Sequence, residues 1–152
     1  MKKIAIYGKG GIGKTTTVSN LATVLAKQGR TVLQVGCDPK GDSTILHTKG
    51  IKIKTVLGAF LEKGDALQID DFLVKADDGV LCIESGGPAP GTGCAGRGII
   101  TAFEKIKELK VLRNIILIMS YMMFWVMLFA VVLQCQLKMD MRKNFILLLQ
   151  EK

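Results

Sequence analysis

The chain has 152 residues, 49% of them hydrophobic, and a formal net charge of +8. This length suits a single α/β domain whose core is large enough to fold without disulfides. Lys and Arg are scattered along the chain rather than clustered, so the positive charge gives no support for a nucleic-acid-binding protein.

Apolar runs predict alternating strands and helices up to about residue 110. The run at residues 3–7 stops at Gly8 and is typical of a buried parallel strand, and residues 31–35 predict a second one. Residues 15–28 carry apolar side chains at helical spacing, and this helix is expected to end at Gly29. Further helices are predicted at 55–63 and 98–109, a strand at 80–83 and a glycine-rich loop at 86–98. The first strand, helix and second strand form a βαβ unit, which predicts an α/β fold with a mostly parallel sheet, its strands adjacent or near-adjacent, and flanking helices.

A glycine-rich motif lies between the first strand and the first helix. Its eight residues match G-x-x-x-x-G-K-[ST] and are Gly8, Lys9, Gly10, Gly11, Ile12, Gly13, Lys14 and Thr15. In this motif, backbone N–H groups and the positive end of the helix hold the phosphates of a nucleotide. Lys14 reaches the β- and γ-phosphates, and the Thr15 hydroxyl ligates Mg²⁺. We therefore predict a P-loop NTPase that binds ATP and Mg²⁺, and we include Thr16 and Asp42 in the predicted site.

Lys9 extends the motif to K-G-G-x-G-K-T, which resembles a subgroup of P-loop ATPases that act as face-to-face dimers. The resemblance implies that Lys9 reaches the nucleotide bound to the partner subunit. The same motif also fits ATPases that partition chromosomes or place the septum, so the motif alone leaves these classes open.

The segment after the second strand is the second candidate for the nucleotide site. It reads G-C-D-P-K-G-D-S-T and places Asp38 directly after the strand. Because ligands of open α/β folds bind at the carboxyl edge of the sheet, we expect Asp38 near the γ-phosphate. There a carboxylate can orient the attacking water or a Mg²⁺-bound water, and the loop changes shape when the phosphate leaves. An Asp-Pro turn with ordinary capping is the alternative interpretation.

The stretch at residues 82–98 is the most informative of the chain and reads C-I-E-S-G-G-P-A-P-G-T-G-C-A-G-R-G. Together with K-G-G-I-G-K-T and G-C-D-P-K, it resembles the nitrogenase iron protein family. That family includes the L subunit of dark-operative protochlorophyllide reductase and related reductases of tetrapyrrole cofactor synthesis, and the first half of the sequence does not separate these partners. The resemblance spans residue 2 to about residue 109, with the three motifs in order.

The resemblance implies a homodimeric ATPase that takes electrons from ferredoxin or flavodoxin and passes them singly to a dinitrogenase. It implies that Asp38 and Lys40, with Lys9, couple hydrolysis to rearrangement. It also implies that Cys94 supplies one thiolate to a [4Fe–4S] cluster shared across the dimer axis, each subunit giving two cysteines. Arg97 matches an arginine that some members ADP-ribosylate.

The cysteines themselves fit this interpretation. A thiolate such as that of Cys94, among glycines at the start of a helix, suits an anionic cluster. Cys37 and Cys82 are interpreted as small buried residues. No C-x-x-C pair occurs, and the chain opens with a strand pattern rather than a secretory signal, so a reducing cytoplasm is expected.

After about residue 110 the chain changes character, and residues 114–137 are almost entirely apolar and uncharged. Residues 115–133 have the length of a membrane-spanning helix, with Lys138, Arg142 and Lys143 on one side. A membrane anchor would suit a membrane-associated positioning or partitioning ATPase without redox chemistry, against which the glycine-rich stretch at 86–98 argues.

A shift of reading frame is the second explanation of this tail, and the one we favour over a membrane protein. Joining the last base of each codon to the first two of the next permits K-Y-N-P-D-Y-V-I-Y at 113–121 and D-V-L-G-D-V-V-C at 122–130. The same frame permits G-G-F-A-M-P at 130–136 and Y-I-V-T-S-G-E at 145–152, as the family requires. We infer that one nucleotide was lost or gained near Val111 and Leu112.

Two segments of different origin are therefore predicted. Residues 1–110 form the P-loop nucleotide-binding domain, and residues 111–152 form an out-of-frame apolar tail that is not native to the fold, which leaves the fold incomplete. One cluster cysteine per subunit gives two ligands where four are needed. We expect this chain neither to hold the cluster nor to fold well.

Overall fold

The computed structural model describes residues 2–8, 11–38, 40–87, 95–109, 111, 116–122 and 145–149. In chain order its elements are β1 (Lys2–Gly8), α1 (Lys14–Lys27), β2 (Val32–Gly36), α2 (Val56–Lys63), β3 (Val74–Lys75), β4 (Leu81–Glu84), α3 (Ala95–Glu108), β5 (Ile116–Met122) and β6 (Phe145–Leu149). Short 3-10 turns at Gly64–Ala66 and Ile69–Asp71 follow α2. The predicted strands and helices up to residue 109 are present with ends shifted by one to three residues.

The strands form one six-stranded sheet in the order β3-β4-β2-β5-β1-β6. All neighbouring pairs are parallel except β3 with β4, which is antiparallel. The strands β1 and β2 of the βαβ unit are near-adjacent, since β5 lies between them. The predicted α/β fold with a mostly parallel sheet is confirmed.

Strand alternation sends apolar side chains to both faces of the sheet, as a sheet covered by helices on both sides requires. On one face, Leu33, Val35 and Ile83 pack with residues of α2 and α3. On the other, Val32 and Ile118 pack with residues of α1. The predicted apolar stripe of α1 is confirmed by its members in that second core, which are Val18, Leu21, Ala22, Leu25 and Ala26.

Cys37 and Cys82 are buried, as the sequence predicted. Burial, reinforced by the negative charges of Asp78 and Glu84, raises the pKa of the Cys82 thiol to about 12. Cys82 therefore keeps its proton and acts as a small apolar side chain.

The tail contributes two strands that the sequence did not predict. Residues 116–122 are an apolar run suited to a strand buried on both faces, and β5 takes the position between β1 and β2. Most of the tract interpreted as a membrane span lies outside the described residues. In the described part of the chain, no helix is long and apolar enough to cross a membrane. The foreign origin of the tail stays a prediction.

Candidate functional site

The carboxyl ends of the parallel strands bring three chain segments to one edge of the sheet. The P-loop follows β1 at Gly8, a second loop follows β2 at Gly36, and Glu84 ends β4 beside Gly36. We call residues 37–44 the switch loop and residues 86–94 the cluster loop. This edge is where ligands bind in open α/β folds.

The described part of the P-loop is shaped to receive an anion. Gly11 and Gly13 have positive φ values of 84° and 92°, which favour glycine, and the space beside both is open. Gly13 caps α1 without a side chain, and the first turn of the helix contains no acidic residue. The N–H groups and the positive end of the helix are therefore available to phosphate. Lys9 and Gly10 lie outside the described residues.

Lys14 and Asp38 are near enough for their charges to interact, although they are 24 positions apart in the chain. Burial lowers the pKa of the Lys14 amine, and the negative charge of nearby Asp38 opposes that change. Thr15 is half-buried at the first turn of α1 and Thr16 is exposed. A partly desolvated lysine at the helix start, with a carboxylate beside it, is a suitable arrangement for a triphosphate and its metal ion.

The switch loop begins with a tight turn made by Asp38. Its Oδ1 accepts a hydrogen bond from Lys40 N at 2.9 Å, and its backbone carbonyl accepts one from Gly41 N at 3.0 Å. Lys40 is exposed and Asp42 is half-buried. Asp38 thus shapes the turn, as the Asp-Pro turn interpretation requires, and its role toward a nucleotide stays a prediction.

Glu84 is a site residue for which the sequence predicted no role. Its side chain is fully buried, and Oε1 accepts hydrogen bonds from Thr44 N at 2.6 Å and Thr44 Oγ1 at 2.8 Å. Burial raises the Glu84 pKa to about 7; the bonds from Thr44 lower it, and the charges of Asp42 and Asp38 raise it. The only sequence signal was a glutamate at the end of the apolar run Leu-Cys-Ile.

A second buried polar network was also missed. Gln34 donates from Nε2 to Ser43 O at 2.8 Å, which turns its Oε1 toward His47 Nε2 at 2.9 Å. The other ring nitrogen, Nδ1, lies 2.7 Å from Asp78 Oδ2, which also accepts from Thr23 Oγ1. An amide oxygen and an ionised carboxylate only accept hydrogen bonds, so each ring nitrogen of His47 lies against an acceptor. His47 is therefore held between Gln34 and Asp78.

The predicted cluster ligand, Cys94, lies outside the described residues. The helix α3 begins at Ala95, three residues earlier than predicted, so Cys94 directly precedes a 14-residue helix. Arg97 lies in the first turn of that helix. Among the described residues, no group of three or more His, Cys, Asp and Glu side chains is arranged to hold a metal ion.

A strand, a glycine loop and a helix that begins at a lysine, at the carboxyl edge of a parallel sheet, define the P-loop NTPase class. Solved structures share this fold. They include the kinase domain of the Escherichia coli tyrosine kinase ETK (TM-score 0.62, 15% identity, 97% of this chain and 66% of that chain). They also include cobyrinic acid a,c-diamide synthase from Mycobacterium smegmatis with bound ADP and magnesium (TM-score 0.54, 23% identity, 78% and 50%).

Within this class, the chain belongs to the 4Fe-4S iron sulfur cluster binding proteins of the NifH/frxC family, whose family model matches residues 2–135. It is 54% identical over 110 residues to the nitrogenase iron protein of Methanospirillum hungatei, covering 72% of this chain and 39% of that protein. It is 54% identical over 112 residues to that of Methanococcus voltae, covering 73% and 40%. The chain thus spans about two fifths of the length of the curated relatives it matches.

Proposed function

We propose that this chain is the nucleotide-binding part of an ATP-dependent electron carrier that reduces a dinitrogenase. In this proposal a homodimer in the cytoplasm accepts electrons from ferredoxin or flavodoxin, and ATP hydrolysis gates their transfer. The observation that carries the proposal is the open P-loop geometry at Gly11 and Gly13, followed by a helix that begins at Lys14 and has no acidic residue in its first turn. Membership of the iron–sulfur family supports the redox half.

In this proposal each residue of the predicted nucleotide site has its own role. The N–H groups of the P-loop and α1 bind the phosphates, Lys14 neutralises the β- and γ-phosphates, and Thr15 ligates Mg²⁺. Asp42 and Thr16 complete this shell, and Lys9 reaches the nucleotide of the partner subunit. Asp38 orients the attacking water, and loss of the γ-phosphate frees Asp38 and Lys40 to move with the switch loop.

The residues present fit a cluster only in part. Cys94 stands at the start of a helix, where backbone N–H groups stabilise an anionic thiolate, and a [4Fe–4S] cluster there would carry one electron at a time. One such cysteine per chain supplies two of four ligands in a dimer. We propose that the family cluster belongs to the frame-restored product of this gene, and that the 152-residue chain is a defective fragment without reductase activity.

Two alternatives differ in partner or in class. A reductase that serves a tetrapyrrole-reducing enzyme would use the same nucleotide site, and the 54% identity to nitrogenase iron proteins favours dinitrogenase over it. A membrane-associated partitioning ATPase would need no cluster at all. Lys14→Ala should abolish ATP binding under every alternative, so that variant does not separate them.

Iron analysis separates a redox protein from a partitioning ATPase. We expect the frame-restored chain, purified without oxygen, to be brown and to contain about four iron atoms per dimer. Cys94→Ala should remove the iron, and Cys82→Ala, which alters a buried cysteine of the core, should keep it. A colourless, iron-free frame-restored protein would overturn the redox proposal. A comparison of electron transfer to a dinitrogenase with electron transfer to a tetrapyrrole-reducing enzyme then identifies the acceptor.

A further inference from the structure

The carboxylate of Glu84 joins β4 to both ends of the switch loop. Oε1 receives the two hydrogen bonds from Thr44 near the end of the loop. Oε2 is buried without a hydrogen-bond partner among the described residues, and a Cβ placed on Gly36 would overlap it. The Glu84 carboxylate therefore packs against Gly36, just before the switch loop, and accepts hydrogen bonds from Thr44 at the end of that loop.

Thr55, the residue before α2, lies between the switch loop and the cluster loop. A Cβ added at Gly41 of the switch loop would lie 2.9 Å from Thr55 Cγ2, and one added at Gly86 of the cluster loop would lie 2.6 Å from Thr55 Oγ1. Both glycines have positive φ, 60° and 74°. The backbones of the two loops thus pack against the same side chain, and its Cγ2 lies close to both glycines, 3.1 Å from a Cβ added at Gly86. The Thr55 hydroxyl also accepts a hydrogen bond from Gly58 N at 3.1 Å.

Backbone hydrogen bonds join Ser85, the first residue after β4, to β2 and α2. Ser85 N donates to Gly36 O at 2.9 Å, and Leu57 N donates to Ser85 O at 3.1 Å. Ser85, the residue before the cluster loop, is therefore bonded to the end of β2 and to the first turn of α2. Gly41 of the switch loop and Gly86 of the cluster loop both lie close against Thr55.

We propose that Glu84 and Thr55 are positioning residues that transmit the state of the switch loop to the cluster loop. This inference rests on the proposed function, because it assumes that the switch loop responds to nucleotide. It assigns the two side chains no contact with nucleotide or cluster. Their role is to couple the switch loop to Gly86, where the cluster loop begins. The coupling acts through the hydrogen bonds of Glu84 with Thr44 and the packing of Thr55 against Gly41 and Gly86, which are either made or broken as a set.

Hydrogen–deuterium exchange on the 152-residue chain tests the coupling, with Mg²⁺ and AMP-PNP as the probe. In the unmodified chain, the nucleotide should slow exchange at 11–27, at 37–50 and at 85–103. Thr55→Ser keeps the hydroxyl and removes the methyl group that lies close to both Gly41 and Gly86, so it should retain the first two responses and weaken the third at least threefold. Glu84→Gln, which leaves Oε1 in place, should weaken the third response less than Glu84→Ala.

Thr48→Ser is the matched control, because it removes a methyl group from the chain beyond the switch loop and away from this junction. If Thr55→Ser and Glu84→Ala leave the response at 85–103 as large as Thr48→Ser does, the inference is wrong and the nucleotide site stands. A nucleotide response that is present at 11–27 and 37–50 but absent from 85–103 in the unmodified chain also overturns it. If no segment responds to AMP-PNP, the measurement is repeated on the frame-restored chain. The absence of any response in that chain refutes both this inference and the nucleotide half of the proposed function.

Discussion

Individual polar side chains inside the apolar strands decide how the site is held. Gln34 and Glu84 are fully buried in strands that otherwise carry apolar residues, and each has its hydrogen-bond partner in the chain segment that follows β2. A buried polar group without a partner costs free energy, so both residues restrict where Ser43 and Thr44 can lie. The fully buried carboxyl of Glu84 also makes stability depend on pH.

Glu84→Gln should flatten the dependence of unfolding free energy on pH. The Glu84 pKa of about 7 lies above the ordinary value of 4.5, so the folded chain binds this proton more tightly than the unfolded chain. Its contribution is complete below about pH 4.5 and is lost as pH rises through about 7, an effect on the order of 3 kcal/mol. Urea unfolding at about pH 5 and about pH 8 measures it. Glu104→Gln, at an exposed glutamate of α3, should keep the wild-type difference, and an unchanged difference in Glu84→Gln would contradict the prediction.

At the scale of elements, hydrogen bonds connect the segment after β2 to β2 itself and to the chain before β4. They involve Gln34, His47 and Asp78. Asp78 precedes β4 and accepts hydrogen bonds from Thr23 of α1 and from Val80 N. Burial raises the pKa of Asp78, but the hydrogen bonds from Thr23, His47 and Val80 outweigh it and hold the pKa below its ordinary value. Elements far apart in sequence are thus joined by one carboxylate.

Asp78→Asn should lower the free energy of unfolding by about 2 kcal/mol, because an amide replaces the part-buried carboxylate that accepts from Thr23 and lies against His47 Nδ1. The neighbouring Asp77 provides the matched control, since its ion pair with Lys49 is 78% and 76% exposed at the two side chains. Asp77→Asn should change the free energy of unfolding far less, because solvent screens an exposed pair. Chemical denaturation of both variants at neutral pH measures the difference, and equal losses would show that the His47 network adds no stability.

At the scale of the whole molecule, the sheet depends on the tail. Both neighbours of β1, which are β5 and β6, come from the chain after residue 111, and β5 alone connects β1 to β2. Ile118 of β5 is fully buried in the core beneath α1. Whatever the origin of these residues, an apolar strand fills the central position that a parallel sheet requires.

A chain ending at Val111 should therefore lose cooperative unfolding. Its P-loop strand would have no neighbour in the sheet as described, and the apolar surface of α1 would be exposed to water. Circular dichroism during urea unfolding compares this chain with the 152-residue chain and the frame-restored one, which should unfold most cooperatively. A truncated chain with an unchanged, cooperative midpoint would show that β5 and β6 are dispensable, as expected of a tail foreign to the fold.

The sequence by itself determined the P-loop, the βαβ unit, the burial of Cys37 and Cys82, and the family resemblance. These features rest on local rules, in which spacing selects helix or strand and glycine permits positive φ. Only the tertiary structure showed β5 between β1 and β2, Glu84 bonded to Thr44, and Thr55 between Gly41 and Gly86. Such contacts join residues distant in the chain, and no periodicity encodes which buried polar side chain finds which partner.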